Sequence, residues 1–98
     1  MVELISRLRR RQLSPVELVE AHIARSRAVN PAINALIETR FEAARAEAQA
    51  AAARYAAAAD SAEEQVALPP LLGVPCSIKE FIAVTGMPHN GGLFRLRG

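Results

Sequence analysis

The chain has 98 residues, 51% of them hydrophobic by type, and its 12 basic and 10 acidic side chains leave a net charge of +2. A single Cys excludes a disulfide scaffold and a Cys-rich zinc site, and no apolar run approaches the roughly 20 residues that span a bilayer. Ala supplies 20 residues while Val, Ile, Leu and Phe together supply 26, so the composition allows one small domain at most, with few core formers.

Leu4, Ile5 and Leu8 share one face of a short helix predicted over 3–12. The Arg-Leu-Arg-Arg-Arg run at 7–11 gives that helix a basic face. No aromatic residues interleave with it to stack bases, so a solvated face is expected and no nucleic acid. Ser14-Pro-Val-Glu17 combines an N-cap Ser, a Pro in the first turn and a Glu three residues after the cap, which is a capping-box signature. It predicts a second helix over 15–29, with Val16, Val19 and Ile23 on one face and Leu18 on its flank. Pro31 disfavours helical backbone at Asn30 and predicts the stop.

Residues 34–40, with Leu36, Ile37 and Thr39, read as a strand. Phe41, Ala44, Ala48, Ala51, Tyr55, Ala58 and Ala62 then recur at spacings of three and four, which predicts a helix over 41–59 with one apolar stripe. Glu42 and Arg45 stand three apart, positioned to pair. Asp60 to Pro70 reads as a loop. In 74–80, Val74, Cys76 and Ile78 alternate with Pro75, Ser77 and Lys79, which predicts a second strand. The order helix, helix, strand, helix, strand implies an α/β fold. Two strands make no stable sheet, and Leu93-Phe-Arg-Leu96 is an apolar segment with nothing after it. The chain therefore reads as the front end of a larger domain.

Lys79 is the only Lys beside 11 Arg. Surface positions accept either residue, so an Arg-biased composition leaves Lys where Arg will not serve. The chemistry that separates them is proton loss, open to a desolvated Lys and closed to Arg, but on composition alone an ordinary surface Lys at a strand end is the commoner case. Other groupings are weaker. Cys76 with His89, or Cys76 with Lys79 and Glu80, could form nucleophilic sites, but strand alternation puts Cys76 and Lys79 on opposite faces, and a lone Cys is more often a small buried hydrophobe. His22 has no second ligand at metal spacing, so no metal is expected. Ser6, Ser14, Ser26, Ser61 and Ser77 include no Gly-x-Ser-x-Gly elbow. Gly91-Gly92 is too short to cradle a phosphate.

Three segments and a tail fall in an order that resembles the N-terminal part of the amidase signature family. Leu13-Ser-Pro-Val-Glu-Leu-Val-Glu-Ala21 is similar to that family's second-helix motif, and Asn30-Pro-Ala-Ile-Asn-Ala-Leu-Ile-Glu38 to its turn and first strand. Pro70-Leu-Leu-Gly-Val-Pro-Cys-Ser-Ile-Lys-Glu80 resembles its Gly-Val-Pro-x-x-Ile-Lys-Asp strand, and Gly86-Met-Pro88 with Gly92-Leu93 its following tail. The resemblance covers nearly the whole chain.

It implies an α/β, mixed-sheet amidase domain, of which residues 1–98 hold the N-terminal helices and first strands. It implies hydrolysis of a small-molecule carboxamide through a Ser–cis-Ser–Lys triad with no cofactor, and with Lys79 as the catalytic Lys; a cytoplasmic location is expected from the lack of a signal-peptide pattern at the start of the sequence. The family's Gly/Ser-rich segment, which holds both catalytic Ser residues, has no counterpart here, so the isolated chain is expected to be inactive. Glu80 stands where Asp is commonest. With Phe81 and Gly-Met-Pro, it resembles the fatty-acid amide hydrolase-like and general amidase branches more than the amidotransferase A subunits, which usually read Lys-Asp-Asn. Two alternatives stand: an amidotransferase protein of that A-type branch, or a non-enzymatic helical interaction module.

Overall fold

In a computed structural model, which describes residues 1–92, four helices follow in order: α1 (Val2–Arg9), α2 (Pro15–Ile33), α3 (Phe41–Ala57) and α4 (Ala62–Ala67). The capping box that opens α2 forms as the sequence dictates. The Ser14 hydroxyl accepts from the Val16 amide at 3.1 Å, and the Glu17 carboxylate accepts from the Ser14 amide at 2.9 Å. Pro15, at the first helical position, has no amide left to satisfy.

The helix does not stop before Pro31. It runs on to Ile33, with Pro31 inside it, and ends where Asn34 turns left-handed at φ +46°. Asn30 outweighs the local bias against helix by holding the departing chain. Its Nδ2 donates to the Leu36 carbonyl at 2.9 Å, and its Oδ1 accepts from the Leu36 amide at 2.8 Å.

α1 is shorter than the 3–12 expected. The Arg11 amide bonds the Leu8 carbonyl at 3.0 Å and the Gln12 amide bonds the Arg7 carbonyl at 2.9 Å, with Arg11 at φ +57°. This is a Schellman ending built on Arg, where Gly carries no left-handed penalty. Arg11→Gly should therefore stabilise the chain by about 0.5–1 kcal/mol, the relief of strain exceeding the extra unfolded-state entropy. A thermal melt by circular dichroism reads it as a rise of several degrees. Arg9 reaches the far end of α4, donating to the Gln65 carbonyl at 3.0 Å and the Leu68 carbonyl at 3.3 Å. A cation there complements the helix dipole, so part of the basic run is structural.

Residues 60–70, expected as a loop, contain α4. Ser61 caps it, its hydroxyl accepting from the Glu64 amide at 3.3 Å, and Glu63 and Glu64 occupy the first turn, where negative charge is favoured. Ser61-Ala-Glu-Glu64 has capping-box spacing, a signal masked by the prolines that follow.

α2 and α3 form an antiparallel pair: Leu18 shares a cluster with Tyr55, Glu20 meets Arg45, and Arg27 lies over the Phe41 ring at 5.4 Å. The predicted stripe of α3 is the packed one, with Ala48, Ala51, Tyr55 and Ala58 buried and Phe41 and Ala44 half-buried, while Ala62 lies exposed in α4. Small side chains let the two helices approach closely. One cluster gathers Leu8, Leu18, Tyr55, Ala58 and Leu68, and the other Val19, Ile23 and Ala48. The anticipated Glu42–Arg45 pair forms at 2.5 Å, and Arg45 also grips Glu20 across the helix pair at 2.5 and 3.1 Å. Hydrogen bonding from Arg45 holds the Glu20 carboxyl below its ordinary range. Stability from this pair is present above that range and fades as pH falls.

Tyr55 ties α3 to the segment beyond α4, its hydroxyl donating to the Leu72 carbonyl at 3.0 Å. Burial pushes the phenol above its ordinary value, with Arg9 opposing. A phenol harder to ionise when folded than when unfolded contributes stability below pH about 10 that is lost as pH rises through the folded value. Tyr55→Phe should cost about 1 kcal/mol at neutral pH and flatten that alkaline decline, as urea melts across pH 8–11 will read.

Among the described residues no strand forms, so the α/β expectation is corrected to an all-helical arrangement. A strand satisfies its backbone on a neighbour. Residues 34–40 are held by Asn30 in a connection, with Ile37 exposed, and 74–79 run without a ladder partner. The Leu93–Leu96 segment lies outside the described residues.

Candidate functional site

The Gly-Val-Pro element enters its position from the helical core. Leu72 and Val74 pack against the Leu8 cluster. The Leu72 amide bonds the Pro69 carbonyl and the Val74 amide the Leu71 carbonyl, both at 3.1 Å. Gly73 adopts φ +76°, and a Cβ on it would lie 2.9 Å from both Cβ and Cγ of Pro15. Only Gly meets both demands: left-handed backbone and contact with the ring that starts α2. The packing that seats this element thus joins the capping-box motif to the Gly-Val-Pro motif.

Beyond Pro75 the chain leaves the core. Cys76, Ser77, Ile78 and Lys79 are exposed, so the described residues do not supply the desolvation expected around Lys79. Its Nζ lies 5.7 Å from the centre of the Phe81 ring, and its carbonyl accepts from the Ile82 amide at 2.9 Å. Glu80 turns back onto the tail, one carboxylate oxygen accepting from the Asn90 amide at 2.5 Å and the Gly91 amide at 2.9 Å. His89 Nε2 donates to the Phe81 carbonyl at 3.0 Å.

The structure therefore brings Lys79, Glu80, Phe81 and His89 into one loop cluster. Cys76 stays apart from it as an exposed free thiol, with Glu80 and His89 engaged on backbone groups. This exposure departs from the buried hydrophobe expected of a lone Cys. His22 bonds the Leu18 carbonyl within its own helix at 2.8 Å, and Ser14 and Ser61 are helix caps. Among the described residues no group of three His, Cys, Asp or Glu side chains is placed to hold a metal. An open cleft of about 330 Å³ lies at the end of α2, lined by residues that include Ser26, Arg27, Asn30, Leu36 and Phe41. Asn30 is the residue sequence reasoning passed over. Its placement just before Pro31, with a turn following, was the available signal.

The sequence model of the family described as Amidase matches residues 17–97. Fatty-acid amide hydrolase 2-B of Danio rerio is 46% identical over 93 residues, covering 94% of this chain and 18% of that protein. Fatty-acid amide hydrolase 2 of Homo sapiens is 35% identical over 99 residues, covering 98% of this chain and 18% of that protein. The glutamyl-tRNA(Gln) amidotransferase A subunit of Roseiflexus sp. (strain RS-1) is 42% identical over 80 residues, covering 82% of this chain and 15% of that protein. The chain thus spans less than a fifth of the length of the curated relatives it matches. No solved structure matches it.

Proposed function

The chain belongs to the amidase signature family, and on that premise we propose that it is the base-bearing N-terminal part of a carboxamide hydrolase. The observation that carries this reading is the position of the sole Lys. Lys79 ends the Gly73-Val-Pro-Cys-Ser-Ile-Lys79 element, inside the matched stretch. As a neutral amine, Lys79 takes a proton from a bridging Ser held by a cis peptide, and that Ser takes one from a nucleophilic Ser. The nucleophile attacks the amide carbonyl, the amine leaves protonated, and water releases the acid from the acyl-enzyme. None of Ser6, Ser14, Ser26, Ser61 and Ser77 is assigned either role, so the reading requires both Ser residues, and the desolvation of Lys79, from outside these 98 residues.

A fatty-acid amide is the first substrate to test, because two of the relatives above carry that substrate class in their names. Acid-quenched incubation of the full-length polypeptide with such an amide should yield, by mass spectrometry, a Ser-linked acyl adduct. The 98-residue chain alone should yield none. Turnover without any acyl-enzyme would reject the mechanism.

The Roseiflexus relative favours a second reading, an amidotransferase of the same kind. It requires that the full-length polypeptide release ammonia from glutamine for transfer to a charged tRNA. Against it, Glu80-Phe81 replaces the Asp-Asn usual after the Lys of that branch.

A further inference from the structure

Glu80 does more in this fold than follow a lysine. Its carboxylate accepts two successive backbone amides, those of Asn90 and Gly91, and the Asn90 side chain accepts a third from Gly92 at 3.0 Å. Gly91 and Gly92, at φ +57° and +77°, allow these amides to turn inward. A concave run of amides is a ready anion site, and here the anion is the chain's own carboxylate. Amides bonded to an ionised oxygen are held about twice as strongly as neutral pairs hold them.

The consequence falls on Lys79. Closing the loop at 90–91 brings His89 onto the Phe81 carbonyl, while the Ile82 amide is fixed on the carbonyl of Lys79 itself. The residues directly after Lys79 are thus restrained on both sides, and the Phe81 ring lies beside Nζ. An exposed Lys otherwise ranges over many rotamers. A proton acceptor misplaced by about 1 Å forfeits on the order of 10²-fold in rate.

We propose that Glu80 is a positioning residue for Lys79, clamping the 80–91 loop through the Asn90 and Gly91 amides and so fixing the direction in which the amine points. This rests on the reading of Lys79 as the base. The test uses the full-length polypeptide with a fatty-acid amide. Glu80→Ala should lower kcat about tenfold with KM unchanged, by loosening the base and leaving substrate contacts alone. Glu80→Gln keeps an acceptor oxygen at the same reach but loses the charge, so its kcat should fall less than that of Glu80→Ala. Hydrogen exchange of the peptide covering 82–92 should quicken in Glu80→Ala and less so in Glu80→Gln.

A parental kcat in Glu80→Ala, unaltered exchange, or a fall in Glu80→Gln as deep as in Glu80→Ala would each overturn the proposal. Lys79→Ala separates the two ideas. If that variant is inactive while Glu80→Ala is fully active, positioning fails and the base stands. If it keeps full rate, the base reading fails first.

Discussion

Replacing Lys79 with Ala in the full-length polypeptide should lower the rate of amide hydrolysis about 10³-fold, within the range for loss of a positioned proton acceptor. Replacing it with Arg should be as damaging. Arg retains the charge and a similar reach, yet its guanidinium keeps its proton at any pH a protein survives. The Arg variant is the more telling of the two. Were Lys79 an electrostatic anchor for a substrate carboxylate or a surface cation beside Phe81, Arg would serve nearly as well. The expected signature is loss in kcat with little change in KM for both variants, measured on a fatty-acid amide with melts to show that each is folded. Because Lys79 is exposed and its side chain meets the Phe81 ring rather than the core, neither substitution should shift the melting temperature appreciably. An Arg variant of near-parental rate would remove Lys79 from the role of base.

What could be read from sequence divides according to where each segment finds its partners. α2 was legible because its stabilising groups are local: Ser14, Pro15 and Glu17 lie within one turn. α3 was legible because Ala propensity and the stripe that begins at Phe41 point the same way, and that stripe is the packed face as far as Ala58. The 34–40 segment carries Leu36, Ile37 and Thr39, and 74–80 carries strand-like alternation, but a strand is completed by a neighbour, and the described residues supply none. The end of α2 was misread because Pro31 acts locally, whereas Asn30 acts through Leu36, six residues on. At the candidate site, Lys79 stood out by composition and by motif. The pairing of Glu80 with Asn90 and Gly91 did not, since a carboxylate beside a Lys looks like an ordinary surface pair until the loop is folded.

Gly73→Val is the substitution expected to damage the fold most, by about 2–6 kcal/mol. Two costs combine: about 1–3 for a side chain forced into left-handed backbone, and about 1–3 for overpacking. The first follows from φ +76°, and the second from the 2.9 Å at which a new Cβ would meet the Pro15 ring, with Ala51 Cβ next at 3.6 Å. The Pro15 ring cannot swing aside, because it is the first residue of α2 and is itself buried. The Gly73 segment must then lift away, which strains the Tyr55–Leu72 hydrogen bond and opens the Leu8 cluster where Leu72 and Val74 pack. Gly73→Ala should show a smaller loss, since it lacks the β-branch. Combining Gly73→Ala with Pro15→Gly separates the two costs: contact with the ring disappears and backbone strain remains. Urea melts of the four chains should then give a coupling of about 1 kcal/mol or more between positions 73 and 15. Strict additivity would mean that Gly73 is required for its backbone angle alone. A coupling of that size would make the approach of Gly-Val-Pro to the α2 cap a determinant of where the chain carrying Lys79 begins.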